Sequence, residues 1–228
     1  DSLSIRDKIP QVEVAAGDRE IAFVLRHLEA LSPTDQTSLV SYGRTNNIQC
    51  YLQPGGSDSI WCLTPSQAPM LEYGLEDGKI VIQFSPTDFT QVNHRVNELM
   101  VRAAVEELEP GGQDRILDLF CGVGNFSLPL ATRVAEVHGV ENVPALVDRG
   151  RKNAKLNGIS NAHFEMRDLY ASSLRDWDPG RFDKLLIDPP RSGALEVVTW
   201  LVPRLAPQLI VYVSCNPATL ARDSRILI

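Results

Sequence analysis

The sequence predicts an α/β fold with a parallel sheet, preceded by a smaller α+β unit. From Val92 onward, apolar residues recur first at helical spacing and then in short runs separated by helical stretches. Strands that alternate with helices indicate βαβ units and therefore a parallel sheet. Residues before about position 88 show short β-like runs with turn residues between them. We therefore predict a small α+β subdomain at 1–88 and an α/β domain at 89–228.

Composition and charge exclude several classes of protein. The chain has 228 residues, a formal net charge of −7 and 43 % hydrophobic residues, which is enough for a core and too much for disorder. No run approaches the ~18 apolar residues of a membrane span. The acidity argues against a surface that wraps duplex nucleic acid, but it leaves room for a local basic groove. Four widely spaced cysteines favour a reducing, cytoplasmic setting.

Turn residues divide the first 88 residues into short elements. Gly17-Asp18 and Asp77-Gly78 are typical of hairpin turns, and Ser32 is typical of a helix N-cap. The predicted elements are a strand at Ile21–Leu25, a helix from Ser32 to near Tyr42-Gly43, a strand at Ile48–Leu52 and a strand at Lys79–Phe84. This part of the chain carries no chemical motif.

The remaining sequence predicts five strands and the helices between them. After a helix from Val92 to near Pro110, the strands are Arg115–Phe120, Glu136–Val140, Ala162–Met166, Phe182–Ile187 and Leu209–Val213. Helices follow Gly124, span Pro144–Leu156 and Leu195–Leu205, and begin at Pro217. Ligands in open α/β sheets bind beyond the carboxyl ends of the strands. Every residue with suggestive chemistry lies at such an end.

A glycine-rich turn follows the first of these strands, in Asp118-Leu-Phe-Cys-Gly122-Val-Gly124. Glycine lets the backbone approach a ligand closely. One interpretation is a dinucleotide site, but Ser127 stands where the third glycine of that motif belongs. Asp118 instead suits S-adenosylmethionine (SAM), which carries a cationic amino group and a cationic sulfonium. A tight turn without a ligand is the third interpretation.

Acidic residues end the next two strands. Glu141 lies about 20 residues after the glycine turn, where a carboxylate can accept hydrogen bonds from ribose hydroxyls. The alternative for Glu141 is a surface carboxylate near a helix start. Asp168 could bond an adenine amino group, or it could be the N-cap of the next helix.

The fourth strand ends in Asp188-Pro-Pro-Arg191. Two prolines after an acidic residue make a rigid wall at this edge. Asp188 could face a cofactor or a base edge, and Arg191 could hold a phosphate or a carbonyl group. The alternative is a simple strand-ending turn.

A cysteine follows the fifth strand, in Ser214-Cys215-Asn216-Pro217. Asn216 and Pro217 are typical of an N-cap and first helical residue, and a helix N-terminus favours a thiolate. Cys215 is therefore a candidate nucleophile, although a small buried cysteine is the commoner role of this residue type. Cys121 is a rival nucleophile inside the glycine turn. The other two cysteines are interpreted as structural.

Four runs together resemble the RNA uracil-C5 methyltransferase family. They are Phe84–Asn93, Asp118–Phe126, Asp188–Arg191 and Ser214–Asp223. The resemblance covers most of the chain and is strong from about Phe84 onward. It implies a Rossmann-like SAM-dependent methyltransferase fold, and it implies that the last two of seven strands lie beyond Ile228.

The resemblance also implies a mechanism and a set of site residues. Cys215 would be the nucleophile that adds to C6 of a uracil in RNA. The resemblance is closest to enzymes that act on 23S rRNA, and the target base would be flipped out of its stack. Asp188 and Arg191 would orient the uracil. The positions that match the family's SAM-binding residues are Gln91, Phe120, Asn125, Glu141, Asp168 and Asp188.

The chain departs from the family pattern in three ways. The N-terminal nucleic-acid-binding barrel is not found, and neither are the cysteines that hold an iron–sulfur cluster in one branch of the family. The proton-abstracting Glu lies well downstream of the cysteine in the family, whereas this chain ends at Ile228. We therefore expect a piece of a longer protein, and an iron–sulfur cluster only in that parent.

Three other functions are consistent with parts of the pattern. An amino-methyltransferase would use Asp188-Pro-Pro as a polar clamp and no nucleophile, and a non-catalytic module would bind SAM or RNA only. Ser127 weakens the case for an NAD oxidoreductase. The four histidines, at 27, 94, 138 and 163, lack metal-ligand spacing, so no metal is expected.

Overall fold

The computed structural model describes residues 3–64 and 70–228, and it divides into two compact units. The first comprises Asp1–Gly74 and Gln83–Val92, and the second comprises Leu75–Ile82 and Asn93–Ile228. The boundary between 88 and 89 stays a prediction. None of the helices in the described ranges combines the length and apolar character that a membrane crossing needs.

A four-stranded sheet organises the first unit. Its strands, in spatial order, are β1 (Gln11–Ala16), β2 (Ile21–Arg26), β3 (Ile48–Gln53) and β4 (Trp61–Cys62). The first two are antiparallel, which confirms the hairpin predicted at Gly17-Asp18. The β2–β3 pair is parallel because helix α1 (Pro33–Asn46) provides the crossover.

Helix α1 begins as predicted but ends later than predicted. Ser32 caps it in a capping box with Asp35. The prediction that it ends near Tyr42-Gly43 was wrong, because the helix continues to Asn46. Asn47 then takes the left-handed conformation, with φ 55°, and its N–H bonds to the Gly43 carbonyl. Asparagine tolerates this conformation, so the stop does not need a glycine.

The predicted hairpin at Asp77-Gly78 is present. It joins β5 (Leu71–Leu75) to β6 (Ile80–Phe84), and the turn residues Glu76, Asp77 and Gly78 all have positive φ. Buried residues alternate with half-buried ones along both strands, as expected for strands covered on one face.

The second unit contains the predicted parallel sheet. Its strands are β7 (Arg115–Leu119), β8 (Glu136–Glu141), β9 (Ala162–Met166), β10 (Lys184–Ile187) and β11 (Leu209–Tyr212). All four pairings are parallel, and the spatial order is β11-β10-β7-β8-β9. The chain therefore winds outward in opposite directions from β7 and β10, and the switch point between them is where ligands bind in such sheets.

Helices connect these strands. They are α2 (His94–Glu107), α3 (Ser127–Ala131), α4 (Pro144–Leu156), α5 (Val202–Leu205) and α6 (Pro217–Leu227). The helix predicted over Leu195–Leu205 contains a π-helical turn at Val197–Leu201 before α5. The strands β7 and β10 are almost wholly buried, which explains their continuous apolar runs.

Candidate functional site

Hydrogen bonds continue beyond the strands and align the predicted site segments at one edge. The Asp188 N–H donates to the Leu119 carbonyl over 3.2 Å, and the Phe120 N–H donates to the Val140 carbonyl over 2.9 Å. The Val213 N–H donates to the Ile187 carbonyl and the Arg167 N–H to the Glu141 carbonyl, each over 2.9 Å. The segments that carry Phe120, Glu141, Asp188 and Cys215 therefore lie beside one another at the carboxyl edge. Neighbouring strands are about 4.8 Å apart, so this edge is short enough for one composite site.

The glycine turn after β7 adopts a backbone that most residues avoid. Phe120, Gly122 and Gly124 have φ values of 65°, 54° and 95°. A side chain at Gly122 would meet no atom within 4 Å, so the backbone there faces open space. A Cβ at Gly124 would lie 3.2 Å from both Leu128 and Phe164. A side chain at Gly124 would be strained by the positive φ and would crowd both residues, whereas Gly122 leaves room for a ligand. Phe120 is a bulky residue held in a strained conformation, which is typical of functional sites.

Asp118 is fully buried at the end of β7. The Ser127 hydroxyl donates to its Oδ2 over 2.5 Å, and its Oδ1 has no hydrogen-bond partner among the described residues. Burial raises the pKa of Asp118 to about 7, and the nearby carboxyls of Asp188 and Glu141 also raise it. Ser127 therefore has a role of its own in place of the missing third glycine. The unpaired buried oxygen suits a cationic ligand, which would stabilise the ionised carboxylate.

Glu141 joins the end of β8 to the glycine turn. Its Oε2 accepts from the Gly122 N–H over 3.2 Å, and its Oε1 accepts from the N–H groups of Asn142 and Val143 over 2.8 and 3.0 Å. The residue is only 7 % exposed. The alternative of a surface carboxylate is therefore wrong, although Glu141 does bond to the start of the following helix.

Asn125 is held by a residue that the sequence did not point to. Its amide and that of Asn97, on α2, exchange two hydrogen bonds of 3.0 and 2.9 Å. Asn97 is 2 % exposed. The only signal in the sequence is a polar residue on the buried face of an amphipathic helix.

Asp168 lies exposed beyond β9, and its Oδ1 accepts from the Tyr170 N–H over 2.8 Å. The alternative that it caps a helix is wrong, because the next helical turn is a 3₁₀ segment at Ser172–Arg175 that follows Ala171. The Tyr170 ring lies 5.6 Å from the Phe120 ring, and its hydroxyl donates to the Gly193 carbonyl.

Asp188 and Arg191 bound the edge beyond β10. Asp188 is half-buried, and burial raises its pKa to about 6. Pro189 is buried and Pro190 is exposed. Because the ring of each proline fixes its φ, the backbone beyond β10 is restricted at both positions. The Arg191 side chain lies on the exposed surface.

Cys215 is exposed at the N-terminus of α6. Asn216 caps this helix by accepting from the Ala218 N–H over 3.1 Å, and Pro217 is its first residue, as predicted. Cys121 differs, because it is buried against Gly139, and this burial raises the pKa of its thiol well above the usual value. A buried neutral thiol is a poor nucleophile, which favours Cys215 over its rival.

Gln91 lies on an exposed segment between β6 and α2, in the first unit. Its assignment as a cofactor residue therefore stays a prediction. In the described ranges, 3–64 and 70–228, no three His, Cys, Asp or Glu residues group as metal ligands.

The fold and the site define a class of protein: a Rossmann-like α/β protein with acidic groups around a glycine turn and an exposed cysteine at the same sheet edge. The sequence model of the tRNA (uracil-5-)-methyltransferase family matches residues 71–227. The chain belongs to this family, which confirms the resemblance found in the sequence.

Curated relatives match over nearly the whole chain. A protein of Azoarcus sp. strain BH72, named 23S rRNA (uracil(1939)-C(5))-methyltransferase RlmD, is 48 % identical over 100 % of this chain and 53 % of its own length. The Nitrosococcus oceani protein of the same name is 50 % identical over 98 % of this chain and 50 % of its own length. The chain thus spans about half the length of these relatives.

Solved structures confirm the predicted methyltransferase fold. The Pyrococcus abyssi tRNA (uracil-54, C5)-methyltransferase, solved with S-adenosyl-L-homocysteine, has a TM-score of 0.71 and 27 % identity over 93 % of this chain and 52 % of its own. A precorrin 8w decarboxylase of Methanobacterium thermoautotrophicum has a TM-score of 0.52 at 20 % identity, over 65 % of this chain and 76 % of its own. The second likeness concerns the fold alone.

Proposed function

We propose that this chain carries catalytic machinery that transfers a methyl group from SAM to C5 of a uridine in RNA, with 23S rRNA as the substrate class. One observation carries the proposal: an exposed cysteine, Cys215, lies on the same sheet edge as the carboxylate-lined glycine turn. The names of the two curated relatives described above support uridine in 23S rRNA as the target.

The residues around the glycine turn fit SAM. Asp118 offers an unpaired buried carboxyl oxygen to a cationic group, and the backbone at Gly122 faces open space. Glu141 and Asp188 add negative charge, and Glu141 follows the strand where ribose hydroxyls are recognised in related folds. We assign Phe120, Asn125 and Asp168 to the same cofactor. When bound, it would supply an electrophilic methyl group.

Cys215 would activate the uracil, because C5 of this ring is a poor nucleophile. The thiolate adds to C6, so that a C–S bond forms and the C5–C6 π electrons move toward C5 and O4. C5 would then bond to the methyl carbon while the S–CH3 bond of the sulfonium breaks, and the sulfur would leave as a neutral thioether. A base removes the C5 proton, the C5–C6 double bond forms again, and the C–S bond breaks to return the thiolate.

The neighbouring loop would hold the substrate. Arg191 is exposed beside the edge, so its guanidinium can donate to a phosphate or a uracil carbonyl. Asp188 can accept from the N3–H of the ring. The target base must leave its stack to reach this edge, because C6 is not accessible to a thiol within a stacked helix.

The test is covalent trapping with RNA that contains 5-fluorouracil. Fluorine at C5 cannot leave as a proton, so the adduct persists after methyl transfer. The full-length protein that carries this sequence should form a denaturation-resistant complex with this RNA in the presence of SAM. Cys215→Ala should lose the complex, and the matched control Cys62→Ala, at a half-buried cysteine, should retain it.

Two results would overturn the proposal. One is methylation of natural RNA by the wild type without any trapped complex, which indicates direct transfer to an amino group. The other is binding of SAM and RNA with no methylated product, which indicates a binding module.

A further inference from the structure

Helix α6 is tied to the loop after β10 by side chains that donate to the loop's backbone. The Asn216 amide donates to the Arg191 carbonyl over 3.0 Å. The Thr219 hydroxyl lies 3.4 Å from the same carbonyl and 3.1 Å from the Asn216 carbonyl, which is its shorter hydrogen bond. The Arg222 guanidinium donates to the Ser192 carbonyl over 3.0 Å. Two consecutive carbonyls of the loop are therefore fixed from the first turns of this helix.

A buried carboxylate lies at the centre of this arrangement. Asp223 is 0 % exposed, although it carries a charge. Its Oδ2 accepts from the Ala194 N–H and from the Tyr212 hydroxyl, each over 2.7 Å. Its Oδ1 accepts from Arg222 over 2.7 Å. One side chain thus joins the loop after β10, the end of β11 and helix α6.

Asp223 is stable as an anion in this position. Burial raises its pKa, but hydrogen bonds from Arg222, Ala194 and Tyr212 together hold the pKa below the usual value. Buried charges are expensive unless they are paired and hydrogen-bonded, and these three donors meet that requirement.

The loop is shaped to approach this carboxylate. Gly193 has φ +79°, and a Cβ there would lie 2.6 Å from Asp223 Oδ2 and 2.5 Å from an Arg222 nitrogen. A side chain at this position would push the loop away from the Asp223–Arg222 pair. The glycine therefore permits the contact that holds the loop.

The two residues assigned to the substrate, Cys215 and Arg191, lie close in sequence to residues that make these contacts. Cys215 stands between Tyr212, which bonds to Asp223, and Asn216, which bonds to the Arg191 carbonyl. Arg191 comes three residues before Ala194, which also bonds to Asp223. We infer that Asp223 is a positioning residue that fixes the backbone of Cys215 relative to that of Arg191 during methyl transfer. The inference rests on the proposed function.

The test separates positioning from stability. Asp223→Asn in the full-length protein should lower kcat about 100-fold, since a misplacement of about 1 Å has that effect, while the Kd for SAM changes less than about twofold. The matched control is Asp35→Asn, at another buried aspartate that bonds to Ser4 and Ser32 in the first unit. This control should lower Tm and leave kcat unchanged.

A second variant covers the case in which Asp223→Asn does not fold. Tyr212→Phe keeps the carboxylate and removes one donor, and it should lower kcat about tenfold with the KM for RNA unchanged, because one hydrogen bond to a charged group is lost. A wild-type kcat in folded Asp223→Asn or in Tyr212→Phe would overturn the positioning role. Activity in Cys215→Ala would instead overturn the proposed function on which it rests.

Discussion

The two sides of the sheet's carboxyl edge differ in what their hydrogen bonds hold. On the β7–β8 side, backbone N–H groups hold a side chain, as when Gly122 donates to Glu141. On the β10–β11 side, side chains hold the backbone, as when Asn216 and Arg222 donate to the carbonyls of Arg191 and Ser192. The first side fixes the Glu141 carboxylate beside the glycine turn, and the second fixes a loop around the buried Asp223 carboxylate.

This difference matches two kinds of ligand. The β7–β8 side buries the carboxyl groups of Asp118 and Glu141, so a small cation that enters the site would interact with them away from bulk water. The β10–β11 side leaves the side chains of Cys215 and Arg191 exposed, because their neighbours make the stabilising bonds. An exposed nucleophile and an exposed guanidinium suit a substrate as large as RNA.

The largest effect on kcat is expected from replacing the nucleophile on the substrate side. Cys215→Ser should lower kcat by more than about 10⁴-fold, because loss of a nucleophile removes the covalent path. The Kd for SAM, measured by titration calorimetry, should remain at the wild-type value. Weakening of SAM binding by tenfold or more would contradict the division of the edge into a cofactor side and a substrate side.

The converse substitution should act on the cofactor side. Glu141→Gln removes the charge that accepts from Gly122 and Val143, so SAM should bind about 10- to 100-fold more weakly while RNA binding is unchanged. Glu136→Gln is the matched control, because Glu136 lies at the opposite end of the same strand and pairs with Arg115. Equal losses in both variants would show that β8 as a whole, rather than its carboxyl end, supports binding.

The sequence predicted the parts of this edge that depend on local patterns. Helix Pro144–Leu156 and strand Ala162–Met166 have the bounds expected from periodicity and turn residues. The positions of Glu141 and Cys215 at strand ends follow from the same patterns. These features depend on neighbours in sequence, and the hydrophobic period and the capping residues report such neighbours directly.

Contacts between distant residues were not predictable in this way. Asn97 meets Asn125 across 28 positions, and Asp223 meets Ala194 across 29. In a single sequence, Asn97 and Asp223 are each only a polar residue within an amphipathic helix. The late end of α1 was missed for a local reason, since Asn47 adopts the left-handed conformation that glycine usually supplies.

The buried carboxyl on the cofactor side should make stability depend on pH. The pKa of Asp118 is raised from 3.8 to about 7, so the folded protein holds a proton that the unfolded chain releases. The free energy of unfolding should therefore fall as pH rises from about 4 to about 7, by at most about 1.4 kcal/mol per pH unit from this group. The free energy of unfolding, measured by urea titration at several pH values in this range, should fall less steeply with pH for Asp118→Asn than for the wild type. An unchanged slope would mean that Asp118 is not the group that titrates.

The smallest effect is expected at the amide pair that supports the glycine turn. Asn97→Ala removes two hydrogen bonds from Asn125, so the free energy of unfolding should fall by about 1–3 kcal/mol and SAM should bind a few-fold more weakly. Asn93→Ala is the control, because Asn93 caps the same helix by accepting from Val96 and its loss should cost about 1 kcal/mol. If both variants weaken SAM binding equally, the stability of α2 is responsible. If only Asn97→Ala does so, the amide pair itself holds Asn125 in the conformation that the cofactor needs.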